Sequence, residues 1–445
     1  MPALSIARTA LATSAVLLGL VGHAALADAN TYAPTRLDDP IPGKCKPSDC
    51  SLREALIAAN RHGGRDTIVA RGGKVYGLTI SPQGGDDASG GDLNITDPLT
   101  ITHSGHKRAA VDAGAIPGGD GVFFLSSPSG ASVTLSGLVI RNGSAGNGGG
   151  IFVKRGSLKL SRSIVSGNFA GGDGGGIEHN GGSLSLLKSA VKGNISASDG
   201  GGINAIAGSL TIKRSSVSGN TIGSGGPDEG GGIATSVPAV IQSSTVSGNK
   251  TISGDGGGIF AQLTTAKLTM TNYTLANNSA AGGGDATLGN GGGIFAQLTA
   301  DVSLNDVTIA HNRADADNSA NSNVGGGFRT ASGASLSIEN SLVVSNAGTG
   351  GEADDCNGAA FTDLGHNLST TGCVGGSTSQ AKIGPLANNG GPTKTIALLG
   401  GSPAIDHGSP RKPGSGGTAC AKTDQRGVKR PQGERCDVGA YERKP

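Results

Sequence analysis

The sequence predicts an all-β fold, a right-handed single-stranded parallel β-helix with a helical cap at its N-terminal end and a disulfide-stapled cap at its C-terminal end. Three observations predict it. Gly-Gly-Gly followed by an apolar residue recurs at Ile151, Ile177, Ile203, Ile233, Ile259, Ile294 and Phe328, in steps of 26, 26, 30, 26, 35 and 34 residues. A second mark, an apolar residue three before an Asn, keeps the same phase from Val139/Asn142 and Val165/Asn168 through Val191/Asn194 to Val343/Asn346. Between the marks lie period-2 segments such as Ser157-Leu158-Lys159-Leu160 and Ser209-Leu210-Thr211-Ile212, which put apolar side chains on one face and polar ones on the other. Each unit therefore reads as three short strands, too short for a propeller blade and without the helix of other solenoid repeats.

The elements follow in chain order. Residues 1–27 carry Arg8, an apolar run from Ala10 to Gly22, and Ala25-Leu26-Ala27, the layout of a cleavable secretory signal. In 28–64, Ser51-Leu52-Arg53-Glu54 forms a capping box and opens a helix with Leu52, Ala55, Leu56 and Ala59 on one face, placed to close the solenoid's exposed end. Repeats fill 65–350, with irregular coils up to Leu125 and extra length at Gly223 to Glu229, Gly282 to Asn290 and Ala314 to Asn323 bulging from one corner. The turn-rich 351–445 is expected to cap the other end.

Composition narrows the function. Net charge is +2, Trp is absent, and Phe and Tyr number 8 and 4 in 445 residues, which argues against nucleic acid as a partner. No stretch reaches the roughly 20 apolar residues of a transmembrane helix. The 81 glycines follow no Gly-X-Y period and punctuate strands instead. Six cysteines fall into three neighbouring pairs, Cys45 with Cys50, Cys356 with Cys373 and Cys420 with Cys436. None has zinc-ligand spacing, and local disulfides in an oxidising compartment are expected.

Cys50-Ser51-Leu52-Arg53-Glu54-Ala55 resembles the signature that names the CSLREA domain. The strings Asn389-Gly390-Gly391-Pro392-Thr393, Gly401-Ser402-Pro403-Ala404-Ile405-Asp406, Asp424-Gln425-Arg426-Gly427 and Cys436-Asp437-Val438-Gly439-Ala440-Tyr441-Glu442 resemble the choice-of-anchor Q domain. The repeat marks are similar to those of polymorphic outer-membrane proteins, which usually show Gly-Gly-Ala-Ile and Phe-x-x-Asn. The resemblance implies a bacterial secreted or cell-surface β-helix protein. The chain stops at Glu442-Arg443-Lys444-Pro445 without a sorting tail, so release or non-covalent retention is the expectation.

No HExxH, P-loop, GxSxG or dinucleotide fingerprint is present. Two sets of residues are candidates. The residue before each glycine triplet is Asn147, Asp173, Asp199, Glu229, Asp255, Asn290 and Val324. Stacked coils would bring four carboxylates, Asp173, Asp199, Glu229 and Asp255, to about 4.8 Å intervals. A calcium ladder is one reading of that column; hydrogen bonds to turn amides are the other. The position after each Ile should point outward, and Lys154, Glu178, His179, Asn180 and Asn204 form the densest polar patch there, the residue types a lyase would need. The leading expectation is a non-enzymatic secreted or surface-associated protein that presents a polar face to polysaccharide or cell-surface glycan. The alternative is a secreted polysaccharide lyase, or a glycoside hydrolase, acting on acidic polysaccharide.

Overall fold

The computed structural model describes residues 28–444 apart from 86, 128–129, 224–225, 227, 264–266, 320–323, 359–360 and 379; the expected signal sequence lies outside them, as do parts of two of the expected loops. The chain is a parallel β-solenoid of about ten turns. Each full coil supplies strands to three parallel sheets, and from Ser144–Ala145 and Phe169–Ala170 to Ser279–Ala280 the turn after the third sheet adds a two-residue strand to a separate short parallel sheet. In the first sheet Ile151 pairs with Ile177, Ile177 with Ile203, Ile203 with Ile233 and so on to Phe328, so the glycine mark and the structural register coincide. The second sheet stacks Leu158 on Leu184 and Leu184 on Leu210. In the third, Val165 stacks on Val191 and Val191 on Val217. These side chains are buried and form one continuous core from Cys50 to Val374.

The Asn mark becomes an unbroken interior ladder. Nδ2 of Asn168 donates to Oδ1 of Asn194 (2.8 Å), Asn194 to Asn220 (3.0 Å), and the series continues through Asn249, Asn278, Asn312 and Asn346 to Asp355. Each Oδ1 also accepts the backbone N–H of the preceding ladder residue. The turn amides that no strand pairs are thereby satisfied. Asn142 is not part of it. Val165 pairs with Ile140 rather than Val139, which puts Gly143 in line and leaves Asn142 at φ +60, bonded to Asp112. The apolar-x-x-Asn string slips by one there because Leu138-Val139-Ile140 offers two equivalent apolar residues.

At the N-terminal end the helix spans Leu52–Arg61, with both bonds of the Ser51/Glu54 capping box formed. Leu52, Ala55, Leu56 and Ala59 are buried against the first coils. Arg53, fully buried, pairs with Asp39 at 2.7 Å and donates to the carbonyls of Ala88, Gly91 and Asp92, which ties the cap to the coil beneath. All three local disulfides are formed.

The C-terminal region differs from an end cap. Coils persist past 350: Cys356–Gly358, Phe361–Asp363 and Leu368–Ser369 pair with the strands before them although the glycine triplet has gone. The chain beyond then turns back as a strap along the outside of the third sheet. Ile396, Leu398, Ala404 and Val438 pack on Ala276, Ala310, Leu342 and Val344. Gln425 bridges Thr245 and Thr274, and Ala440 N–H donates to Thr308 Oγ1. Arg430, fully buried, lies between Asp306 (3.6 Å) and Glu442 (3.3 Å). The cause is visible in the strands that it covers: their outward positions carry hydroxylated, small or apolar residues, Thr274, Ala276, Thr308, Ala310, Leu342 and Val344, rather than charges, a face that can be packed over. Among the described residues no helix is long and apolar enough to cross a membrane.

Candidate functional site on the first sheet

The outward column of the first sheet reads Asn94, Phe124, Phe152, Glu178, Asn204, Ala234, Phe260, Phe295 and Arg329, in register from coil to coil. Alternation alone predicts a solvated column, yet Glu178 is 1% and Asn204 4% exposed. The glycine turns cover it. A Cβ on Gly174, which has φ +64, would lie 2.7 Å from Glu178 Cα, and one on Gly176 would lie 2.6 Å from the carbonyl oxygen of Gly202. Only glycine can fold back this closely over the strand and still stack, so the triplet both makes the turn and buries the side chains beneath it.

Beside this column runs the acidic one. Its side-chain oxygens accept the backbone N–H of the next coil: the amide Oδ1 of Asn147 from Asp173 (2.9 Å), and the carboxylate Oδ1 of Asp173 from Asp199 (3.2 Å), of Asp199 from Glu229 (2.9 Å) and of Asp255 from Asn290 (2.7 Å). At Glu229 the longer side chain leaves the line and reaches Gln297, at 3.4 Å. Burial, with the charges of Asp199 and Asp255, pushes the Glu229 carboxyl up to about 8. Burial pushes Asp199 up to about 6 against the bond from Glu229, with Asp173 adding to the rise. Glu178 is pushed up to about 8, chiefly by burial and then by the charge of Asp173, while a bond from Asn204 opposes the shift. Among the described residues no three His, Cys, Asp or Glu side chains gather into a group that could hold a metal.

The polar patch read from the sequence divides. Glu178, Asn180 and Asn204 come together: the amide of Asn180, turned so that its nitrogen faces the acceptors, donates to Glu178 Oε1 at 2.6 Å. His179 does not join them. It alternates inward, stacked between Val153 and Ala205, fully buried, and burial lowers its pKa to about 4. Lys154 is exposed and lies over the Phe124 ring, 5.5 Å from its centroid, one coil earlier.

Sequence reading missed a concave part of this face. Phe124 and Phe152 stack edge-to-face with centroids 5.4 Å apart and floor a cavity of about 250 Å³ rimmed by Asp92, Asn94, Asp120 and Asn147. Asn94 is 4% exposed, and its Oδ1 has no hydrogen-bond partner. Asp120 accepts from the N–H groups of Asp92 (3.0 Å) and Gly121 (2.8 Å). The glycine mark begins only at Gly148, so nothing in the repeat pattern aligns Asn94 with Phe124 and Phe152.

No protein-family model matches the chain, so the likeness to the CSLREA and choice-of-anchor domains remains one of motifs, and no curated protein matches it. Among solved structures the chain is similar to the crystal structure of pectate lyase Pel9A, with a TM-score of 0.53 and 15% sequence identity over 94% of this chain and 98% of that one. At that identity the likeness is one of fold, the parallel β-helix.

Proposed function

We propose that this protein is an extracellular β-helix that binds a neutral glycan along the outer face of its first sheet, without chemistry. The Phe124–Phe152 cavity carries the reading. An aromatic floor offers an apolar face to a sugar ring, and a rim of carboxylate and amide oxygens, one of them buried and unpartnered, accepts hydrogen bonds from hydroxyls. The rim carboxylates Asp92 and Asp120 disfavour a uronate there, since like charges about 4 Å apart repel by about 1 kcal/mol even in open water. Three disulfides fit an oxidising, extracellular setting, and the motif resemblance to bacterial surface proteins agrees with it.

The test is calorimetric titration with a panel of neutral and acidic oligosaccharides. A neutral ligand should bind, and Phe152→Ala should weaken it about tenfold, the worth of one aromatic contact. Binding to no neutral glycan, or binding untouched by Phe124→Ala and Phe152→Ala, would remove the reading.

One observation favours a second reading, cleavage of acidic polysaccharide. Glu178, pushed up to about 8, is a carboxyl that holds its proton at neutral pH, as a general acid must. Incubation with uronate polymers decides it: unsaturated products in the ultraviolet, lost in Glu178→Gln, would establish lyase activity and displace binding alone.

A further inference from the structure

From Gly156 to Gly219 the chain carries six basic residues, Lys159, Arg162, Lys188, Lys192, Lys213 and Arg214, and three acids, Asp173, Glu178 and Asp199. The solenoid separates them completely. The acids lie at or beside the first sheet, on the face described above. The six cations lie on the second and third sheets and the turn between them, and all six are exposed. Among the described residues none of them is held in a salt bridge.

The turn is the informative part. Arg162, Lys188 and Arg214 occupy one position in three successive coils, each at φ +51, each donating its N–H to the coil above. A left-handed backbone is unfavourable for a long side chain and largely tolerated by Gly or Asn; the same turn holds Gly137 one coil earlier and Asn272 two coils later. Three like charges about 4.8 Å apart also repel one another. Neither the backbone nor the local charges favour cations at this corner.

The strap leaves this ground open. Its hydrogen bonds to the third sheet begin at Thr245 and it borders Ser216 and Ser218 from one side, so Ser166 and Lys192 face an open, shallow surface with Arg141 at its edge. Where the strap begins, Lys188 and Arg214 join Thr423, Gln425 and Arg426 around a cavity of about 310 Å³.

We infer that this corner is a second binding surface, for a linear anionic polysaccharide lying along the solenoid axis. A straight row of cations on one edge fits an extended polyanion, whose repeated charges remove the mutual repulsion of the row. The row has no aromatic stacking platform for nucleic acid: the one aromatic residue of the segment, Phe169, sits on the short strand Phe169–Ala170 of a separate sheet. The surface is independent of the neutral-glycan face and shares no residue with it.

The experiment uses the mature chain over surfaces of carboxymethyl dextran and of plain dextran, which differ only in charge. Retention on the charged polymer at low ionic strength, none on plain dextran, and loss in high salt are expected. The exposed triple variant Arg162→Ala/Lys188→Ala/Arg214→Ala should weaken it about tenfold or more, three ion contacts being lost, with an unchanged circular dichroism spectrum. Phe124→Ala/Phe152→Ala should retain it in full, which separates this surface from the neutral-glycan face. No retention of the parent, equal retention of the triple variant, or duplex DNA held as tightly through the same three residues would each overturn the assignment.

Discussion

Two columns of this molecule use one device with opposite consequences. In the Asn ladder inside the third-sheet corner and in the acidic column at the edge of the first sheet, a side-chain oxygen accepts the backbone N–H of a neighbouring coil. An amide also donates, so each Asn closes its own account: Asn220 gives Nδ2 to Asn249 Oδ1 and to the Val191 carbonyl while its Oδ1 takes two bonds from Asn194. A carboxylate only accepts. The acidic column must therefore either carry charge or hold protons, as Glu229 at about 8 and Asp199 at about 6 do, and the line breaks at Glu229. The neutral column can be buried through seven coils; the charged one can exist only at the edge. The difference separates a device that holds the fold together from one that leaves electrostatic energy stored on a face.

The largest effect should come from breaking the neutral column. Asn220→Ala strands the backbone N–H and Nδ2 of Asn194 and the carbonyl of Val191 in a region without water, which should cost roughly 3 kcal/mol, read from urea unfolding. Asn220→Asp sharpens the comparison by importing the other column's chemistry. It keeps the acceptor and loses the donor, and buries a carboxyl whose pKa must rise. Its deficit should be small at pH 4 and grow as pH rises. A deficit independent of pH would show that the two columns differ in geometry rather than in charge.

Next in size is the pH dependence of the parent. Glu178 and Glu229 are held at about 8 and Asp199 at about 6 in the folded chain, against ordinary values of 4.5 and 3.8. The folded state thus binds these protons more tightly than the unfolded one. The stability they contribute is complete below about pH 4 and is lost as pH rises through about 6 and 8. Glu229→Gln, neutral at every pH, should flatten the decline between about pH 4.5 and pH 8 and be the more stable of the two at pH 8. Parallel pH profiles for parent and variant in chemical denaturation would exclude a Glu229 carboxyl raised by burial and by its acidic neighbours.

Why the sequence was legible in one column and not in the other follows from the same physics. The Gly-Gly-Gly-Ile and Val-x-x-Asn marks could be read because every coil repeats one steric demand and one hydrogen-bonding demand, and the strand register agrees with them from Ile151 to Phe328. The helix over Leu52–Arg61 was legible because its capping box is local. Burial of Glu178 was not, since it depends on glycine turns folding over an otherwise outward position. His179 needed the phase of alternation, which places it inside with Val153. The aromatic cavity lies in coils before the glycine mark begins, and the sideways strap depends on contacts about 150 residues apart in sequence, such as Gln425 with Thr274. Period reports what each coil does to its neighbour; it is silent about what lies across the outside.

The smallest effect should come from calcium, which bears on whether the acidic column is turn chemistry or a metal ladder. Asp173 Oδ1 and Asp199 Oδ1 are each engaged by the amide of the next coil, and the described carboxylates do not converge in threes, whereas calcium takes six to eight oxygens. The expected result is a melting temperature in about 1 mM calcium equal to that in chelator, within about a degree. Asp173→Asn/Asp199→Asn keeps both turn bonds and removes two neighbouring charges, so it should melt at the same temperature or slightly higher, again without a calcium response. The metal reading predicts the opposite pattern: binding to the folded state alone raises the parent's melting temperature in proportion to the logarithm of calcium above its dissociation constant, and the double variant loses that rise. A calcium-dependent increase in the parent that disappears in Asp173→Asn/Asp199→Asn would mean that the outer column closes its account with a cation, where the inner column does so with its own amides.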